Sequence, residues 1–251
     1  MGRYVFGLGA LILGLAGLHW GDFALVWQPV PTNVPDRTIL AYLVGATLAL
    51  GGLALLWKRT AASGAAALAL LFALGVLLLH VPRVIAHPLA LSSWAGVAEQ
   101  MALVAGGALA YAMTDNAAIS AVLFRAGWLA FGLCCLVFGA VHFRYLFDTA
   151  RMVPDYLPMG QLFWARFTGT AHIAAGLGIL SGVRARLAAQ MLTAMFLVFA
   201  ALVHAPLLIA DPASHLNWVM NAMNLCLTGA AWIVADSLRG RKVWNWVGSA
   251  A

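Results

Sequence analysis

Long apolar runs separated by short polar connections make up most of this chain. The length of each run is close to that of an α-helix that crosses about 30 Å of hydrocarbon, which needs about 20 residues. The runs are rich in Gly, Ala and Leu, and small residues let helices pack closely inside a membrane. The pattern predicts an all-α, polytopic transmembrane bundle of about eight helices, over residues 4–20, 38–57, 62–80, 92–113, 120–142, 161–180, 187–205 and 216–236.

The composition agrees with this pattern and excludes a water-soluble globular domain. The 251 residues are 64% hydrophobic and 9% charged, and the mean hydropathy is +0.93. A soluble domain carries about 25% charged residues. The 14 Lys and Arg residues are scattered at the ends of apolar runs, so nucleic acid is not an expected partner. The 3 cysteines lie in apolar runs without Cys-x-x-Cys spacing, which argues against disulfides and a thiolate zinc site.

The basic residues in the connections predict the orientation. With eight spans the two termini share one side, which holds nine of the Lys and Arg residues, whereas the other side holds five. The positive-inside rule therefore predicts a multi-pass inner-membrane protein with both termini, and a tail over 241–251, in the cytoplasm. The longer loops, 21–37 and 143–160, are expected on the extracytoplasmic side. The first run has no convincing cleavage site after it, and we expect it to be retained as a helix.

The chain also shows an internal repeat. The alignment pairs uncommon residue types: at a shift of 124, His80 with His204, Pro82 with Pro206 and Trp94 with Trp218; and at a shift of 123, His19 with His142. We predict two four-helix repeats, over 1–115 and 116–240. Because each repeat has an even number of spans, both have the same orientation and a pseudo-two-fold axis along the membrane normal should relate them.

Three motifs in the second repeat point to a family. They are GAVHF at 139–143, VPDYLP at 153–158 and TGTAHIAAGLG at 168–178. Each repeat resembles the four-helix DoxX family of bacterial membrane proteins, and these motifs of the second repeat show the resemblance best. Members of that family are associated with a thiosulfate:quinone oxidoreductase and with redox-stress membrane complexes, and the broader fold includes lipid- and sterol-handling proteins. The family typically has an acidic residue where this chain has His172, which weakens the transfer of its chemistry to this chain.

Six of the 7 histidines fall on the predicted outer side. Four of them end the first, third, fifth and seventh helices and are exchanged in pairs by the repeat: His19, His80, His142 and His204. Imidazole binds copper, zinc and haem iron, and it also bonds quinone carbonyls. These four are therefore candidate metal ligands, and the cofactor is left open among a quinone, haem and copper. The alternative is structural, because a histidine at a helix end near the interface needs no ligand.

Two ionisable residues lie deeper in the predicted spans. His172 is about eleven residues into its helix, and Glu99 is the only carboxylate within a span apart from Asp236 at a helix end. A charge inserted at mid-membrane costs about 2.5–3.5 kcal/mol, so such residues usually face a cavity or a partner. For Glu99 the expected partner is a protonated histidine or Arg83. For His172 the alternative is a hydrogen bond to a neighbouring helix.

The outer loop after the fifth helix alternates charged and aromatic residues between Arg144 and Arg151. This pattern predicts a short amphipathic helix along the interface. In the functional interpretation, the two arginines and His142 surround the headgroup of a quinone or lipid; otherwise the segment is a structural lid. The matching segment of the first repeat, 22–29, is aromatic but poorer in charge, so the ligand site is expected to be asymmetric. Trp27, within it, is expected at the membrane interface.

The sequence thus predicts a redox-associated membrane subunit that binds a quinone, haem or metal near the extracytoplasmic face. It would exchange electrons with an extracytoplasmic or membrane partner protein, in a hetero-oligomer. No catalytic residue is assigned, and the candidate ligand-binding residues are Glu99, His142, Arg144, Arg151 and His172. The alternative is a non-enzymatic scaffold or a lipid- or isoprenoid-binding module. Membrane lipids are expected partners in both cases.

Overall fold

The apolar runs form helices close to the predicted positions. The computed structural model describes residues 1–114, 117–241 and 243, and within them the chain is helical with no strand, which confirms the all-α prediction. The predicted tail lies outside the described residues except at Arg241 and Val243. The helices are α1 (Gly2–Trp20), α2 (Arg37–Ala54), α3 (Ala61–Ala86), α4 (Leu91–Ala112), α5 (Ala117–Arg144), α6 (Leu146–Met152), α7 (Gln161–Ser181), α8 (Ala185–Ala210) and α9 (His215–Ser237).

Six of the helices in the described ranges are long and apolar enough to span a membrane. They are α1, α2, α3, α5, α8 and α9. The other two long helices, α4 with 22 residues and α7 with 21, do not meet the same criterion of composition. They carry polar side chains that lower their hydropathy, among them Glu99 and Gln100 in α4 and Arg166 and His172 in α7. The two least apolar long helices are therefore the ones that bring deep ionisable residues into the bundle.

Each long helix packs against the next one along the chain. The bundle closes because α1 and α4 both pack along α9. Glycines allow the closest approaches: a Cβ on Gly14 would collide with the Gly45 carbonyl oxygen, and one on Gly176 would lie 2.8 Å from that of Gly132. Where lipid replaces water no hydrophobic effect drives helices together, so close backbone contact of this kind stabilises their association.

Helices α3 and α8 run past the prolines at which the sequence predicted their ends. The predicted segments 62–80 and 187–205 stop too early, because each helix continues for about one further turn or more. His80 and His204 therefore lie within continuous helices, and their predicted position at helix ends was wrong.

A stretch of wider π-helix precedes each of these prolines. Val76–His80 precedes Pro82, and Ala200–His204 precedes Pro206. Proline has no N–H, and in a regular α-helix its ring clashes with the carbonyl group four residues earlier. A π-helical turn is wider; it is rare, and where it occurs it mostly lies within an α-helix, often at a functional site. The π segments thus explain how both helices continue through a residue that normally ends them.

Candidate functional site

A large cavity lies inside the part of the bundle formed by α5 to α9 and is bordered by α4. Its volume is about 720 Å³, within the range of about 300–1,000 Å³ that is usual for small-molecule sites. The wall also includes α6, the loop that follows α6, and Trp27 from the first half of the chain. Most of the lining is apolar, with several phenylalanines and five methionines: Met152, Met191, Met195, Met220 and Met223.

The polar side chains in this lining are few. They are Glu99, His142, Thr149, Thr168, His172, His204 and Asn224. The cavity therefore brings together three of the five predicted ligand-binding residues and two of the four candidate metal ligands. Among the residues described, no Lys or Arg lines the cavity. A site of this composition suits an apolar molecule with a small polar group.

His172 is the most deeply buried of the cavity histidines, with 2% of its surface exposed. Its ring lies 5.5 Å from the ring of Phe138, 5.0 Å from that of His142 and 5.5 Å from that of Phe196, measured between centroids. Its Nδ1 is buried, and no atom in the described part of the chain bonds it. A buried polar atom without a partner costs about 1–3 kcal/mol, so a polar group in the cavity would stabilise this arrangement.

His142 faces His172 from α5 and has a defined tautomer. Its Nδ1 lies 2.8 Å from the carbonyl oxygen of Phe138. A carbonyl oxygen only accepts hydrogen bonds, so Nδ1 carries a proton and donates it. The close approach of the two helices depends on Gly169 in α7, because a Cβ there would lie 2.8 Å from the Cβ of His142.

His204 contributes a third imidazole to the cavity. It ends the π segment of α8, and its Nδ1 is also buried with no partner in the described ranges. A π-helical insertion changes the direction in which the following side chains point relative to a regular α-helix. Nearby, the Asn224 side-chain amide donates to the Phe196 carbonyl oxygen at 3.0 Å, so its NH₂ group already has a partner.

In the first half of the chain, His80 has a different environment. A 3₁₀ turn over Leu25–Trp27 enters the bundle, and the Trp27 carbonyl oxygen lies 3.1 Å from both His80 Nε2 and Gln100 Nε2, each of which donates to it. Trp27 and Glu99 both line the cavity, and the Trp27 side chain interacts with the Glu99 carboxyl group. The segment around Trp27 therefore fills the space next to His80, whereas the matching residue in the second half, His204, lines the cavity.

Trp27 is a lining residue that sequence reasoning did not assign to the candidate site. It was expected only as a tryptophan of the membrane interface, and the structure shows that its carbonyl oxygen also accepts hydrogen bonds inside the bundle. The expected partner of Glu99 was a protonated histidine or Arg83, but no ion pair between Glu99 and either is present among the described residues. One feature of the sequence could have indicated a place for Trp27 at the site: it lies in the segment 22–29, which matches the lid of the second repeat.

The predicted lid helix forms, but its arginines do not reach the cavity. Helix α6 contributes Thr149 and Met152 to the wall. Arg151 is exposed and pairs with Asp148 at 3.4 Å, and Arg144 is exposed and lies over the Tyr145 ring at 5.3 Å. Arg151 points away because α6 packs its less polar face on α7 and turns its charged face outward.

The four candidate metal ligands do not come together. His19 lies edge-on to Trp20 at 4.5 Å, and the Trp20 ring stacks on His215 at 4.6 Å. His80 bonds Trp27, and only His142 and His204 line the cavity. Within residues 1–114, 117–241 and 243, no group of three or more His, Cys, Asp or Glu side chains could hold a metal ion.

The exposure of several lining residues indicates that the cavity is open to the side of the bundle at α7 and α8. Three residues that line it are also at least half exposed: Phe167 at 52%, Met191 at 57% and Val198 at 51%. All three are apolar and lie along the length of the two helices. In a bilayer such an opening faces lipid, so an apolar molecule could reach the cavity without passing through water.

Comparison with known proteins gives a family match over the second half of the chain. A family model described as "Domain of unknown function (DUF8561)" matches residues 131–235. This range contains every residue that lines the cavity except Trp27, Ala95 and Glu99. Neither the curated proteins nor the solved structures include a significant match to the chain.

Proposed function

We propose that this chain is an integral membrane protein that binds a lipophilic molecule of the quinone or isoprenoid-lipid class in the cavity. The observation that carries the proposal is His172, a buried residue that lines an apolar cavity of about 720 Å³ and whose Nδ1 has no partner in the described part of the chain. The ligand's polar group would bond this nitrogen, and its apolar tail would pack on the methionine and aromatic wall.

The lining favours a small uncharged headgroup. A phosphate or carboxylate buried there would have no cation opposite it among the described lining residues, and burying an unpaired charge is costly. The imidazoles suit a quinone better than a metal ion, because they offer hydrogen-bonding atoms but, among the residues described, are not grouped in sets of three. The lateral opening suits a ligand that arrives from the bilayer.

The redox role belongs to the same proposal and rests on the DoxX resemblance. In this proposal the protein is a membrane subunit that binds a quinone, and a partner protein exchanges electrons with that quinone. The second candidate is a lipid- or isoprenoid-binding module without electron transfer, which the apolar wall and lateral opening favour equally. Both candidates use the same cavity and differ in whether the bound molecule changes its redox state.

We further propose that all eight long helices span an inner membrane, with both termini in the cytoplasm and two duplicated four-helix units. Matching details in the two halves support the duplication. Both halves have a π segment at the same place, and in both a tryptophan indole donates to a proline carbonyl oxygen at 2.9 Å: Trp94 to Pro88 and Trp218 to Pro212. In both halves the first two long helices cross at paired glycines: Gly14 with Gly45, and Gly139 with Gly169.

The direct test is ligand binding by the protein purified in detergent. Organic extraction and mass spectrometry should recover a quinone or isoprenoid lipid. Titration with decylubiquinone should quench tryptophan fluorescence saturably, because Trp27 and Trp164 line the cavity. Absence of both an extracted lipid and saturable quenching would refute the proposal. If a ligand is found, a redox-difference absorption spectrum of the protein in its native membranes separates the two candidates. A change in the redox state of the bound molecule supports the redox subunit, and no change supports the lipid-binding module.

A matched pair of histidine variants makes the test specific. His172→Phe keeps an aromatic ring in place and removes the nitrogens, so decylubiquinone should bind about tenfold more weakly. His87→Ala changes an exposed histidine in the connection between α3 and α4 and should bind like the wild type. Equal affinity in both variants would exclude His172 as the binding residue.

A further inference from the structure

The two facing imidazoles define which headgroup the site can bind, if the proposed function holds. His142 donates its Nδ1 proton to the Phe138 carbonyl oxygen at 2.8 Å. A neutral imidazole has one donor and one acceptor, so the remaining nitrogen, Nε2, can only accept a hydrogen bond. A ligand atom that meets His142 Nε2 must therefore carry a hydrogen.

His142 is neutral in this environment. The groups recorded next to it are the His172 ring and the Phe138 carbonyl oxygen, and Glu99, the one carboxyl group among the described lining residues, forms no ion pair with it. No carboxylate pairs with it among the ion pairs of the described residues. A second proton on the ring would leave a buried charge without a partner, which is far more costly than a neutral ring.

His172 complements His142 from the other side. The two ring centroids are 5.0 Å apart, no hydrogen bond joins the rings in the described structure, and His172 Nδ1 has no partner there. A neutral His172 offers one N–H donor and one acceptor. One hydroxyl group can satisfy both residues, because it donates to His142 Nε2 and accepts from a His172 N–H. A carbonyl or ether oxygen can only accept, and it leaves His142 Nε2 without a partner.

We infer that the cavity selects isoprenoid lipids that carry a hydroxyl group over the matching carbonyl or ether. Two sources have this chemistry: a quinol, which is the reduced form of a quinone, and an isoprenoid alcohol. The selection is a property of binding alone and requires no chemical step.

The test compares ligands that differ only at the headgroup. Geranylgeraniol is compared with geranylgeranyl methyl ether, and anaerobic decylubiquinol with decylubiquinone, each through displacement or quenching on the purified protein. The hydroxyl form should bind about tenfold more tightly in at least one pair, since one net hydrogen bond is gained. The pair that shows the preference identifies the source as alcohol or quinol.

His142→Phe supplies the decisive variant, with His87→Ala as its control. In His142→Phe the preference within each pair should fall to about onefold, because no ligand can then donate a hydrogen bond to His142 Nε2. Equal binding of both members of each pair by the wild type would overturn the inference and leave the proposed function standing. A preference that survives in His142→Phe would also overturn it. Failure of every ligand to bind the wild type would instead overturn the proposed function.

Discussion

Replacing Gly169 with alanine should force α7 away from α5 at the site. The added Cβ would lie 2.8 Å from the Cβ of His142 and 3.2 Å from a ring carbon of Phe143. Carbon atoms pack at about 3.5–4.0 Å, so the two helices must separate locally by roughly 0.7–1.2 Å. The His142 Cβ is fixed to the backbone and cannot rotate away. Overpacking of this kind costs about 1–3 kcal/mol.

Gly17→Ala is the matched control for this prediction. A Cβ at Gly17 would meet the nearest atoms, the Asp22 carbonyl oxygen and the Gly45 Cα, at an ordinary 3.5 Å. Both changes gain about 0.8–1 kcal/mol of helix propensity, and this gain cancels when the two variants are compared. Gly169→Ala should therefore be less stable than Gly17→Ala by about 1–3 kcal/mol.

The comparison is made by reversible unfolding in mixed micelles, followed by tryptophan fluorescence and far-ultraviolet circular dichroism. Decylubiquinone titration on the same samples should show weaker binding by Gly169→Ala, because α7, which carries His172, moves relative to the rest of the cavity wall. Gly17→Ala should bind like the wild type. Equal stability and equal affinity of the two variants would refute the close contact of α5 with α7 on which the site depends.

Three further changes test other contacts. Ser237→Ala removes the buried hydroxyl that accepts from the Trp128 indole at 2.8 Å. The free energy of unfolding should fall by about 1–3 kcal/mol, and Trp128→Phe in the same chain should restore part of it. His80→Ala leaves the Trp27 carbonyl oxygen with one donor, so stability should fall by about 1 kcal/mol and the fluorescence of Trp27 should shift to the red; an unchanged spectrum would contradict the buried turn. Gly14→Ala makes a Cβ collide with backbone atoms of α2, and unfolding should occur at lower denaturant concentration than in the wild type; an unchanged midpoint would contradict this crossing.

The helices follow from the sequence because their cause is local. Inside a membrane the backbone N–H and C=O groups have no water to bond, so they must form hydrogen bonds within the protein. An apolar run of about 20 residues does this by forming a helix. The runs 4–20 and 216–236, for example, correspond to α1 and α9 within a few residues. The errors at the ends of α3 and α8 arose from the prolines, because the π segments that accommodate them leave no signal in hydropathy.

The sequence also selected the ionisable residues of the site. Glu99, His142, His172 and His204 are rare residue types within apolar runs, and the cost of burying such groups is visible in the sequence alone. All four line one cavity. This agreement has a physical basis, because a polar group that is expensive to bury is retained where it faces a space or a partner.

Only the tertiary structure decided which of the candidates meet. Hydropathy gives the depth of a residue along a helix axis, but the direction of its side chain depends on how that helix is rotated against its neighbours. The rotation follows from packing at positions such as Gly169, where the absence of a Cβ allows His142 and His172 to face each other. In the same way, packing turned Arg151 outward and brought Trp27 inward, where it bonds groups far away in the sequence. The local pattern therefore determined the elements, and long-range packing determined the site.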